Sequence, residues 1–268
     1  MNKSLFLLLA IPLVQSCSTN AVTGRKQLKL FPESTLQQEA VSQYQSFLSE
    51  NKVVNQNNSR DAEMVRRVGS RIATAITGYY SKRANPVDFS GYKWEFNLVD
   101  NKQVNAWCMP GGKVVVYSGL LPVTQNEAAL AVVLAHEITH AIAQHGNERM
   151  SQVAVAQGLQ VVGNVFTQNK TQANSIFNNV FGPAASVGVI LPNSRKQEYE
   201  ADRYGLIFTA MAGYNPREAI PFWQRMANAS EGNKPPTFLS SHPADADRLA
   251  QIKKYMPEAL SYYKPIKK

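Results

Sequence analysis

Apolar positions along the chain change period several times, and each change marks an expected element. Residues 5–14 form an apolar run behind a short basic start at Lys3. The run is shorter than the roughly 20 residues a spanning helix needs and suits the apolar part of a secretory leader. Residues 18–32 are polar and carry Gly24, so a tether is expected there. Apolar residues recur at helical spacing over residues 34–51 and again over 61–80, where Met64, Val65, Val68, Ile72 and Ile76 share a face. The Asn-rich stretch 55–59 is expected to link these two helices. From Lys93 the period drops to two. Residues 94–99, 104–107 and 113–117 read as strands, with turns at Asp100-Asn101 and Pro110-Gly111-Gly112, which predicts a small antiparallel sheet. Residues 128–143 are rich in Ala, Leu and Val without Gly or Pro, the pattern of a buried helix. Between Arg149 and Arg195 the only charged residue is Lys170, with breaks at Gly182-Pro183 and Pro192. One or two helices covering a cleft are expected there, and no window is apolar for long enough to span a bilayer. Further helices are expected from residue 194, near Pro216 and over 244–256. The first of these is ended by Gly213, and the last is preceded by Ser241-His242-Pro243. The fold class is α+β, mainly helical.

Composition narrows the picture only slightly. The chain has 268 residues, 44% hydrophobic and 18% charged, with a formal charge of +9, which suits a globular chain with a sizeable core. Its basic residues are scattered, without the basic, aromatic-interleaved stretch of a nucleic-acid surface, so a solvated basic exterior is expected and no nucleic-acid partner. Of the two cysteines, Cys17 and Cys108, neither sits in a CxxC pair. Cys108 is expected to be a packed thiol. Val14-Gln15-Ser16-Cys17 closes the leader and resembles the bacterial lipoprotein processing box. That resemblance implies cleavage before Cys17 and acylation of its thiol and new amino terminus, with more than one acyl chain making a stable anchor. An ordinary secreted protein cut at a small residue is the other reading.

The chemistry is concentrated in His136-Glu137-Ile138-Thr139-His140. Residues four apart on a helix share a face, so the two imidazoles can reach one metal ion. Glu137 would stand beside that ion, placed to take a proton from an activated water, as in zinc metalloproteases. Two core histidines beside an incidental acid would be the plainer explanation. It leaves a carboxylate uncompensated in an apolar helix, and three of the chain's four histidines (His136, His140, His145, His242) lie in one short segment.

A catalytic zinc takes a third protein ligand. His145 stands nine positions after His136 and does not fit the metzincin spacing. If the helix continues it points to another face than His140, so a structural or supporting histidine is expected. Glu198 and Asp202 are four apart. Glu198 would ligate and Asp202 would hold the far ring N–H of a ligating histidine. Glu200 faces elsewhere on the same helix. Local sequence alone leaves open an exposed acidic turn balanced by Arg195, Lys196 and Arg203.

The motif at 136–140, the run SRKQEYEAD ending at Asp202, and the later His242-Pro243 with Arg248 together resemble metallopeptidase family forty-eight over about residues 60–255. That family includes the CAAX prenyl proteases, the HtpX membrane proteases and the periplasmic BepA and LoiP proteases. The resemblance implies a gluzincin-like domain with one zinc per chain, held by His136, His140 and Glu198, and Glu137 as catalytic base. It implies that Asp202 supports a histidine ligand. It also implies that His242 and Arg248 lie near the metal and stabilise the oxyanion, with His242 able to cap the metal at rest as in the BepA type. Asn105-Ala106-Trp107 is similar to the family's substrate-pairing edge strand. The leader and the lack of spanning runs look most like the LoiP type. The chain is expected to end too soon for the C-terminal tetratricopeptide domain of the BepA type.

The expected organisation is a lipoprotein signal peptide over 1–16, a lipidated cysteine, tether and helix over 17–60, and a zinc metallopeptidase domain over 61–268. The expected function is membrane-anchored hydrolysis of misfolded or unassembled envelope proteins. The place would be the bacterial envelope, at the outer membrane and facing the periplasm. The alternative is a lipid-anchored chaperone or assembly factor for outer-membrane proteins, whose zinc is mainly structural or latent.

Overall fold

Val114, Val115 and Val116 are all fully buried, and Lys113 and Tyr117 on either side are buried too. Burying one valine contributes about 1.5–3 kcal/mol, so this strand takes the centre of a sheet whose two faces are both covered. In the computed structural model, which describes residues 17–156, 170–181, 194–229, 236–243 and 246–266, the strand is β5 (Lys113–Tyr117), flanked by β3 (Glu95–Val99) and β4 (Ala106–Met109). The hairpin from β4 to β5 is antiparallel, closed through Gly111 and Gly112 at φ 78° and 82°, a backbone region that glycine enters without a Cβ penalty. β3, however, pairs β5 in parallel. The sheet is therefore mixed rather than antiparallel. β5 is apolar throughout and takes the middle, which separates the two strands that precede it. β4 begins later than expected, because Val104 turns its carbonyl to the Phe238 N–H instead.

The inner sheet face (Phe96, Leu98, Ala106, Val114, Val116) packs on α2 (Arg60–Tyr80) and on α3 (Glu127–Ile142), the helix bearing His136 and His140. The outer face (Val99, Met109, Val115, Tyr117) packs on α1 (Glu33–Glu50), α4 (His145–Ala156) and α5 (Lys170–Phe181). The described part of the low-charge segment thus joins the outer core; the rest lies outside the described residues. Beyond α3 lie α6 (Arg195–Met211), α7 (Ala219–Asn228), the short α8 (Thr237–Ser241) and α9 (Ala246–Ser261). Among the described residues no helix is long and apolar enough to cross a membrane. The expected leader, residues 1–16, lies outside them.

Two expected linkers are built in. Residues 17–28 form an antiparallel hairpin, β1 (Cys17–Thr19) with β2 (Lys26–Leu28), where a tether was expected. Their polarity has a structural cause: buried Asn20 and Gln27 donate to the Ala143 carbonyl at 2.9 and 2.8 Å, at the end of α3. The stretch around 52–59 lies along β3. The Val54 N–H donates to Leu98 O, and the Gln56 carboxamide donates to Phe96 O. Ser59 then caps α2.

Candidate metal centre

Asn126 caps α3 by accepting from the Ala129 N–H at 2.8 Å. Every residue from Ala129 to Ile142 is buried. The helix therefore delivers His136, Glu137 and His140 into the interior rather than to a surface. α6 crosses it closely at Gly205. A Cβ there would stand 3.1 Å from the His136 backbone nitrogen, and its absence lets the face of α6 carrying Glu198 and Asp202 come up to the histidines. α6 itself starts at a capping box between Ser194 and Gln197.

His136, His140, Glu198 and His242 form one buried group, with their potential ligand atoms all within 4.8 Å of one another. His136 Nε2 lies 3.0 Å from His140 Nε2, 3.2 Å from His242 Nδ1 and 3.4 Å from Glu198 Oε2. Glu198 Oε1 lies 3.3 Å from His140 Nε2 and 3.0 Å from His242 Nδ1. Donors held about 2.0–2.1 Å from a tetrahedral zinc stand about 3.3 Å apart, so these separations match the edges of such a site.

The outer contacts fix which way the rings present their lone pairs. His136 Nδ1 faces Asp202 Oδ1 at 3.1 Å, and His140 Nδ1 faces His145 Nδ1 at 2.9 Å. The Asp202 carboxylate assigns the proton of His136 to Nδ1, and a proton on His140 Nδ1 toward His145 likewise turns the His140 Nε2 lone pair to the same centre as His136 Nε2 and Glu198. A cation resolves that arrangement. Without one, the cluster recruits a proton: burial alone would lower the proton affinity of His136, but Asp202 and Glu198 outweigh it and push the pKa up to about 9. His140 goes the other way, held well below the usual range mainly by burial. Burial would raise the Glu198 pKa, yet His242, Arg248, His136 and His140 hold it well below the carboxylate range. Glu137 is raised, by burial first, against the pull of His242 and His136. Its Oε1 is buried without a hydrogen bond, 3.4 Å from His242 Nε2. The donor set, its geometry and this unsatisfied oxygen all fit a zinc site.

Arg248 is buried and already engaged. It donates to Asp202 through Nε at 2.7 Å and Nη2 at 2.9 Å, pairs Glu198 Oε2 through Nη1 at 2.9 Å, and stacks 3.8 Å over the Trp223 ring. His242 caps α8 rather than opening the helix that follows, with its ring stacked on Phe238 at 4.5 Å. His145 starts a separate helix, because the chain leaves α3 through Gln144 at φ 54°. That break returns His145 to His140, which a continuous helix would forbid. Glu200 stays out of the cluster, as its place on α6 implies, and pairs His145 Nε2 at 3.2 Å.

Of the remaining expected residues, Asn105 and Ala106 lie at the start of β4, an edge strand, and Cys108 is half-buried among the inner core. Gly205 and the His145–Glu200 pair were not expected in these roles. A glycine in mid-helix, three positions after Asp202, was the visible signal for the first.

The model of Peptidase family M48 matches residues 70–256. The chain belongs to this family. M48 metalloproteases use zinc, in keeping with the donors just described. Over 172 residues the chain is 35% identical to the mitochondrial metalloendopeptidase OMA1 of Schizosaccharomyces pombe, spanning 63% of this chain and 49% of that one. It is 34% identical over 165 residues to the beta-barrel assembly-enhancing protease of Yersinia pestis, spanning 60% and 34%. The protein of that name from Escherichia coli is 29% identical over 168 residues, spanning 60% and 34%. The M48 chain thus spans between about a third and about half of the length of these curated relatives.

Proposed function

We propose that this chain is a zinc-dependent metalloendopeptidase acting on misfolded or unassembled envelope proteins. The observation that carries the reading is Glu137: a buried carboxylate with an unbonded oxygen, one residue from a histidine of a four-donor cluster, on the helix that packs against the edge strand β4. His136, His140 and Glu198 would hold the metal. When bound, zinc supplies a Lewis acid that polarises the scissile carbonyl and acidifies water. Glu137, its proton affinity raised by burial, takes the proton of the attacking water and returns it to the leaving amine. Asp202 orients His136, and Arg248 holds Asp202 and Glu198 in place. The oxyanion falls to His242, whose Nε2 already faces Glu137.

The edge of β4 supports an extended substrate. Tyr117 N–H donates to Asn105 O, so by the antiparallel alternation residues 105, 107 and 109 bond to β5, while Ala106 and Cys108 turn their backbone groups to the free edge. Asn105 Oδ1 occupies the Ala106 N–H at 3.0 Å and would yield it to a substrate carbonyl.

Glu137→Gln tests the reading. Cleavage of an unfolded protein should fall by about 10²–10⁴-fold with zinc content unchanged, and equal cleavage would overturn it. One observation favours a second reading: His242 Nδ1 closes the donor set at 3.0–3.2 Å. A closed set suits a latent or structural zinc in a lipid-anchored assembly factor. Retained function in assembly by a Glu137→Gln chain that binds zinc but does not cleave would select it. Localisation at the outer membrane, facing the periplasm, rests on the leader and on likeness to beta-barrel assembly-enhancing proteases; the OMA1 relatives are mitochondrial. Mass spectrometry of the mature amino terminus should find Cys17 acylated, and an unmodified Cys17 would refute the anchor.

A further inference from the structure

The hairpin β1–β2 lies before residue 70, outside the stretch matched by the family model, yet its side chains run to the metal centre. Arg25 donates through Nη1 and Nη2 to both oxygens of Glu148, at 2.6 and 2.5 Å. Its Nε donates to both oxygens of Glu200, at 2.8 and 2.7 Å. Glu200 Oε2 in turn meets His145 Nε2 at 3.2 Å, and His145 Nδ1 meets His140 Nδ1 at 2.9 Å. Glu148 is also held by Gln197, the residue before Glu198 on α6. The same hairpin grips the end of α3, where Asn20 and Gln27 share the Ala143 carbonyl just before the turn that places His145. Tyr80 and Tyr204 pin it from outside by donating to Val22 O and Thr23 O.

We infer that this hairpin is a component of the metal centre, and that Arg25 is a positioning residue acting through Glu200 and His145 on His140. The chemistry follows from the order of the contacts. Arg25 fixes both oxygens of Glu200 in place, so Glu200 accepts from His145 Nε2 and leaves the Nδ1 lone pair of His145 pointing inward. His140 then carries its proton on Nδ1 and presents Nε2 as a lone pair to the metal. Without Arg25, Glu200 and Glu148 would be two neighbouring, partly buried carboxylates with no shared cation. Glu200 would turn away, and His145 would lose the partner that sets its tautomer. Asp202 serves His136 in the same sense, so each ligating histidine is backed by a carboxylate, the second at one remove.

The inference rests on the cluster holding zinc, and its test separates the two. Zinc affinity of the full chain is measured by competition with a chromophoric chelator, and cobalt(II) is substituted to read ligand geometry from its visible bands. Arg25→Met should weaken zinc binding by about 10–100-fold and shift the cobalt bands, with helix content unchanged by circular dichroism. Because Arg25 acts through His145, the losses in Arg25→Met and His145→Gln should not add in the double variant. Should Arg25→Met fail to fold, Arg25→Lys carries the test. One ammonium cannot supply the fork to Glu148 and also reach Glu200, so its zinc affinity should fall by at least about 10-fold. Unchanged affinity and cobalt bands in a folded Arg25 variant, or additive losses, would overturn the inference while the metal reading stands. A wild-type chain that binds neither ion would overturn both.

Discussion

Glu198 and Glu200 stand two positions apart on one helix and have opposite relations to the same cluster. Glu198 is within 3.4 Å of three histidines. Of the histidines, Glu200 meets the one behind His140, and its oxygens are otherwise held by Arg25. Glu198→Ala should therefore abolish stoichiometric zinc binding, measured by elemental analysis of the dialysed chain. Glu200→Ala should keep zinc at high metal concentration and lose affinity only. Equal zinc content in Glu198→Ala and wild type would remove Glu198 from the ligand set. His242 is in two places at once, with Nδ1 in the donor set and Nε2 toward Glu137. His242→Ala should therefore change the basal cleavage rate. A rise would mean that its capping contact restrains the enzyme. A fall of about 10²–10³-fold with zinc unchanged would mark an oxyanion donor. A variant with wild-type rate and zinc affinity would show that the ring takes no part.

At the scale of elements, the site depends on how closely α3 and α6 approach. Gly205→Ala would put a methyl against the α3 backbone at 3.1–3.4 Å, and the helix backbone yields less readily than a side chain. Overpacking of this kind costs about 1–3 kcal/mol, while exchanging glycine for alanine in a helix returns up to about 1 kcal/mol. The net expectation is a destabilisation of about 1 kcal/mol by urea unfolding of the metal-free chain. Lower zinc affinity should accompany it, because the same displacement lifts Glu198 and Asp202 from the histidines. A stabilised variant with unaltered zinc affinity would show that the close approach does not matter. The glycine was readable as an oddity of a helical stretch. Its purpose was not, because the opposing helix is 69 positions away in sequence, at His136.

For the molecule as a whole, stability should carry a pH signature from the start of α1. Burial raises the Glu33 carboxyl to about 7, against the opposing contacts of Gln37, Lys29 and Tyr92. Between about 4.5 and 7 the folded chain keeps a proton that the unfolded chain releases. This contribution is present below the unfolded value and lost as pH rises through that window, by at most about 3 kcal/mol. Wild-type melting temperature should fall relative to Glu33→Gln as pH goes from 5 to 7.5, and parallel curves would show that Glu33 titrates as an exposed acid.

The long periodic helices, the apolar strand at 113–117 and the spacing of His136, Glu137 and His140 were all determined locally. A helical face repeats within about 11–18 consecutive residues and a buried strand within about 4–8, so sequence alone carries them. The i, i+4 pairing of Glu198 with Asp202 is local in the same way, and in the fold Glu198 lies among the histidines while Glu200 lies outside their cluster. Contacts between distant segments decided the rest. The place of β5 between β3 and β4 follows from which strand gains most by burial on both faces, a comparison across the whole sheet. By polarity alone residues 18–32 read as a tether. Only the folded chain shows that Asn20, Arg25 and Gln27 are polar in order to satisfy a helix end and two carboxylates more than 100 residues away. In a continuous helix His145 faces away from His140. One left-handed residue, Gln144, breaks that helix, and the backbone torsion that joins the two histidines is stabilised by tertiary packing rather than by local sequence.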